Sequence, residues 1–151
     1  MTLLARIESA MRDAMRAGDR PRTSTLRMAM AAATNRRIEL GREVTDDDMV
    51  DVLTRQVKQR RESIELYRGA GRDDRAEAEL AEVEILSEFL PRQLSAGELE
   101  ALATEAIEAT GASGPADLGR VMGWLVPRTK GRADGRAVSE AVRRRLSERG
   151  G

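Results

Sequence analysis

Apolar residues recur along most of the chain at three- and four-residue intervals, the spacing that buries one stripe of an α-helix. Leu3, Leu4, Ile7, Met11, Ala14 and Met15 make the first stripe, with Gly18 placed to stop it. Pro21 suits the first turn of a second helix, whose apolar positions include Leu26, Met30, Ala33 and Ile38 and which ends near Gly41. Thr45 followed by Asp48 reads as a helix start, leading into Met49, Val52, Leu53, Val57, Ile64 and Tyr67 and breaking at Gly69-Ala70-Gly71. A fourth helix runs through Leu80, Val83 and Leu86 to Phe89, and Pro91 stops it.

Ser95 and Glu98 form a capping box ahead of Leu99, Leu102, Ala103, Ala106 and Ile107, and Gly111 closes that fifth helix. Ser113-Gly114-Pro115 opens a sixth, carrying Leu118, Val121, Met122 and Leu125 until Pro127. A turn over 129–135 leads to a last helix with Val138, Ala141, Val142 and Leu146. No alternating stretch reaches useful strand length. The expected fold is all-α: an N-terminal lobe of about four helices over residues 1–91 and a C-terminal three-helix lobe over residues 95–149, with the seam between Pro91 and Ser95.

Composition narrows the chemistry. Of 151 residues, 40% are hydrophobic, but 22 are alanine and only three are aromatic, Tyr67, Phe89 and Trp124. That supply suits helix packing better than a β-sandwich. The chain has neither cysteine nor histidine. Disulfides, thiolate nucleophiles, Ser-His-Asp triads and His-ligated metals are thereby excluded. We expect no catalytic residues, no metal ligands and no cofactor. No apolar run approaches the ~20 residues of a membrane span, and Arg6, Glu8, Arg12 and Asp13 interrupt the N-terminus. A cytoplasmic protein with no membrane partner is expected.

Two patterns tempt a sharper reading. Asp47-Asp48-Met49-Val50-Asp51 spells the DDxxD of magnesium–diphosphate enzymes, but it sits where a helix start favours acidic residues, and no second cluster accompanies it. Gly119 and Gly123 lie four apart on the sixth helix, at about 1 kcal/mol each relative to alanine. Close packing of another helix is the favoured explanation, and approach of an RNA backbone the alternative.

Charge is balanced at 26 basic and 26 acidic residues, yet unevenly distributed. Residues 73–108 carry a net −9 and residues 120–151 a net +6. Lys130, Arg132 and Arg136 crowd the turn containing Gly131 and Gly135, where exposed backbone N–H groups can face an anion. On the last helix Arg136, Arg143 and Arg144 project opposite the apolar side, while Arg145 and Arg149 fall nearer to it. Guanidinium groups bind phosphate bidentately, although a solvated arginine face accounts for the same pattern.

The residues Asp117-Leu118-Gly119-Arg120-Val121-Met122-Gly123, followed by Lys130-Gly131-Arg132-Ala133-Asp134-Gly135, resemble the paired C-terminal signatures of the GatB/YqeY family. Leu26-Arg27-Met28, Glu39-Leu40-Gly41, Lys58-Gln59-Arg60, Ser63-Ile64, Glu84-Ile85 and Leu90-Pro91-Arg92-Gln93-Leu94-Ser95 extend the likeness to stand-alone YqeY proteins over essentially the whole chain. Departures are Leu118 for methionine, Arg120 and Arg132 for lysine, and Trp124 where a smaller residue is common.

The resemblance implies a relation to the tail of the glutamine-dependent tRNA amidotransferase B subunit, a part that helps hold tRNA and performs no chemistry. A carbon–nitrogen ligase label would then be inherited from the larger enzyme. The expectation is a non-catalytic tRNA-binding or tRNA-metabolism module, with Lys130, Arg132, Arg136, Arg143 and Arg144 on phosphates and Gly131 and Gly135 allowing close approach. The rival classes are a protein–protein adaptor and an accessory active only with amidotransferase catalytic subunits.

Overall fold

The computed structural model describes residues 1–150 as seven α-helices and their connections, with no strand among the described residues. The chain divides into two compact units. The first, Met1–Leu90, holds α1 (Leu3–Ala17), α2 (Arg20–Leu40), α3 (Asp46–Gly69) and α4 (Asp73–Ser87). The second begins at Pro91 and holds α5 (Ala96–Thr110), a short 3₁₀ turn at Pro115–Asp117, α6 (Leu118–Thr129) and α7 (Gly135–Gly150).

Local chemistry sets most of these ends. Ser95 and Glu98 exchange backbone hydrogen bonds as a capping box, and α1, α2 and α5 each finish on a left-handed glycine, Gly18, Gly41 and Gly111. Arg92 grips Glu98 through two N–H groups at 3.0 and 2.7 Å, and with Ser95 it holds that carboxyl down at about 2. At the start of α3, Asp48 accepts from Arg42 at 2.7 Å and from the Thr45 backbone N–H at 2.8 Å, which keeps it well below the usual carboxylate range. Asp46 accepts from the Leu3 backbone N–H at 2.9 Å. Two carboxylates of the acidic run are therefore engaged in starting helices. No group of three or more potential acidic metal ligands converges among the described residues.

The first core is built on Ile7, Leu26, Met49, Leu53 and Leu86, all fully buried. Two expected members lie outside it. Met15 is 50% exposed because Ala14 takes the inward position, and Ile38 is 70% exposed. The buried stripe of α2 runs through Thr25, Ala29 and Ala33, four residues apart; Ile38, five beyond Ala33, falls off it. The Thr25 hydroxyl donates to the Pro21 carbonyl at 2.9 Å, so its burial leaves no donor unmade. The fourth helix also stops earlier than its pattern predicts, at Ser87, with Phe89 buried just beyond it.

This core also holds a cation. Arg60 on α3 is 7% exposed and donates from Nε to Glu82 of α4 at 2.8 Å. Its remaining donors reach the Gln56 carbonyl at 3.4 Å and the Met28 sulfur at 3.8 Å. Burial, reinforced by Glu82, pushes the neighbouring Glu79 carboxyl up, against the pull of Arg60.

The second core gathers Leu99, Ala103, Ile107, Val121, Leu125, Val138, Val142 and Leu146. Here Pro127 does not end its helix; α6 continues to Thr129. The proline falls in the last turn, where one lost N–H is tolerable. The turn is closed by the Lys130 N–H on the Val126 carbonyl at 3.0 Å and the Thr129 hydroxyl on the Leu125 carbonyl at 3.3 Å.

Candidate nucleic-acid interface

The turn from Lys130 to Asp134 is shaped from within. Gly131 has φ 73°, a region that costs residues with a Cβ about 1–2 kcal/mol. It is buried, and its carbonyl accepts from the Gln93 side chain at 2.7 Å. Arg132 is half-buried: its carbonyl accepts from the Leu94 N–H at 2.8 Å and its Nε donates to the Arg92 carbonyl at 3.1 Å. Gly131 and Arg132 thus bind the segment 92–94, which the sequence pattern presents as a seam, onto the turn. Gly131 offers no exposed backbone for a ligand. Gly135 is exposed at the first position of α7, and Lys130 is exposed at the end of α6.

The arginines of α7 differ from one another. Arg136 pairs with Glu140, one turn along, at 3.3 Å. Arg144 pairs with Glu100 of α5, whose second oxygen takes Arg145 Nε at 3.0 Å. Arg143 is exposed and makes no ion pair among the described residues. A shallow concavity along α7 is lined by Glu140, Arg143, Arg144, Ser147 and Glu148, a mixed surface and not a purely cationic one. Part of the acidic segment therefore neutralises part of the basic tail within the same unit. Sequence inspection missed Glu100, because nothing in a linear charge map says which arginines a carboxylate on another helix will meet.

Basic residues also stand on α6 and on the turn that follows it. Residues 118–133 contain Arg120, Arg128, Lys130 and Arg132 and no carboxylate. Arg120 pairs back to Asp117 at 3.0 Å. Gly119 and Gly123 are exposed, and a Cβ on either meets nothing within 4 Å beyond the adjoining residues and backbone of its own helix. The expected helix packing against them is absent among the described residues; the glycines lay α6 backbone open. Val126, 47% exposed, and Pro127 continue that side. Substituting Gly123→Ala should accordingly stabilise the protein by about 1 kcal/mol. Urea unfolding followed by circular dichroism checks this, and a loss of stability would mean that the site is occupied.

These features define an all-α protein of two helical units, the second carrying a carboxylate-free cationic run. The chain belongs to the YqeY family: the family's model, Yqey-like protein, matches residues 4–146. It is 29% identical over 148 residues to "Altered inheritance of mitochondria protein 41, mitochondrial" of Pyrenophora tritici-repentis, covering 97% of this chain and 80% of that protein. It is also 31% identical over 93 residues to "Uncharacterized protein C22F3.15" of Schizosaccharomyces pombe, covering 62% of this chain and 76% of that one. No helix among the described residues is long and apolar enough to cross a membrane.

Proposed function

We propose that the protein is a non-catalytic helical module that binds tRNA, or a complex handling tRNA, through its second unit. The observation that carries this reading is the run 118–133, where Arg128 and Lys130 are exposed on a stretch of sequence without a carboxylate. Family membership supports it through the relation to the amidotransferase tail, and an inherited ligase label adds no chemistry to these residues. A cytoplasmic location belongs to the same reading; the Pyrenophora relative carries a mitochondrial name.

The test is tRNA binding by fluorescence anisotropy over a salt series. Affinity should fall steeply as salt rises, because each neutralised phosphate releases counterions. Changing Lys130 and Arg143 to alanine should flatten the log–log slope by about 0.7–0.9 for each phosphate that is no longer neutralised. Absence of tRNA binding at low salt by the folded chain would sink the proposal.

A second reading, a protein adaptor or amidotransferase accessory, draws on α4 in the first unit. Its carboxylates Glu77 and Glu84 are both exposed, seven residues and about two turns apart on one face. Copurification with catalytic subunits, and loss of tRNA binding in their absence, would favour it.

A further inference from the structure

Arg128 sits over the ring of Trp124. Its guanidinium carbon is 3.7 Å from the indole centroid, and its Nη1 donates to the Trp124 carbonyl at 2.5 Å. Elsewhere Arg6 over Phe89 and Arg75 over Tyr67 stand off at 5.9 Å. Trp124 is half-buried against the second core, while Arg128 is exposed and makes no ion pair among the described residues. The guanidinium is therefore held against the indole while the residue stays open to solvent. The main-chain hydrogen bond and the ring together fix a side chain that is otherwise long and mobile.

A fixed guanidinium plane is a stacking surface. Its faces are weakly hydrated, and unpaired RNA bases stack on arginine planes as they do on aromatic rings. Helical spacing puts Arg120 and Pro127 beside Trp124, one turn before and one turn after it. Further round α6 is the uncovered backbone at Gly119 and Gly123, with exposed Lys130 at the helix end. A cationic shelf with an apolar rim and open backbone suits a splayed-out base with its phosphate alongside. A duplex, whose bases are stacked internally, leaves such a shelf unused.

We infer that Arg128, clamped on Trp124, is a stacking site for one unpaired nucleobase of the bound RNA. This rests on the RNA-binding reading above and adds to it a preference for single-stranded loops over helical RNA. The chain has only three aromatic residues, but one indole suffices when an arginine extends it.

Trp124 is the chain's only tryptophan, so its fluorescence reports on this site directly. The experiment compares an RNA hairpin with an unpaired loop against a blunt duplex of matched phosphate number. Both are titrated at low salt into the full chain and into Arg128→Ala and Arg128→Lys variants, whose folding is checked by circular dichroism. The hairpin should bind more tightly and alter Trp124 emission, and the duplex should bind without that change. Arg128→Ala should cost the hairpin about tenfold in affinity and the duplex much less. Arg128→Lys, which keeps the charge and loses the plane, should behave like alanine toward the hairpin. Equal binding of hairpin and duplex, or full hairpin binding by Arg128→Lys, overturns the stacking site and leaves RNA binding standing. Failure of both RNAs to bind overturns the RNA reading itself, and the shelf with it.

Discussion

Replacing Arg60 by alanine should destabilise the protein by about 3 kcal/mol, at the lower end of the range for removing one partner of a buried ion pair. The guanidinium is 7% exposed and bridges α3 to Glu82 on α4. Its loss strands a carboxylate beside Glu79, which burial already drives toward its neutral form. The cost stays below the maximum because the Glu82 side chain retains 34% exposure and can recover some hydration. Arg60→Met keeps the packed stem and should lose less. Pairing it with Glu82→Leu should recover most of the stability, since buried pairs often contribute no more than apolar residues of similar volume. Urea denaturation of the three variants measures all of this. A single-alanine loss below about 1 kcal/mol, the usual range of a surface pair, would place Arg60 in water.

Leu125→Ala should remove about 3 kcal/mol, within the usual range for a fully buried leucine. Leu125 is 0% exposed, among Val121, Val138, Val142 and Leu146. The effect is severe because the second unit has roughly 60 residues, and domains of that size bury a smaller fraction of their surface than larger ones do. At ~0.05–0.15 kcal/mol per residue, its whole margin is about 3–9 kcal/mol. The substitution consumes a third or more of it. Trp124 belongs to the same unit, so a lower midpoint in its fluorescence unfolding curve is the expected signature. An unchanged midpoint would contradict the packing described for α6.

Helix positions were legible because they depend on neighbours in sequence. The Thr45–Asp48 and Ser95–Glu98 boxes and the Gly18, Gly41 and Gly111 stops act within a few residues, and periodicity does the rest. Misreadings arose where a distant helix decides. Met15 and Ile38 fit a helical spacing, but α1 and α2 turn alanines inward instead. Gly119 and Gly123 looked like a packing groove, and no helix of the described chain covers them. The basic tail was visible as a sum, whereas its division between compensated and open arginines depended on Glu100 and Glu140. Arg128 was missed because stacking on Trp124 leaves no trace in charge or hydropathy; their four-residue spacing was the available signal.

The bonds from Gln93 to Gly131, from Leu94 to Arg132 and from Arg132 to Arg92 set a boundary for anyone dividing the molecule. A fusion junction or deletion placed by sequence appearance at Ser95 removes the partners of two turn carbonyls and one guanidinium. The left-handed Gly131 corner then loses its brace in the stretch that carries Lys130 and Arg132. A cut between Leu90 and Pro91 keeps the turn supported, so the two choices yield fragments with different cationic surfaces despite differing by only a few residues.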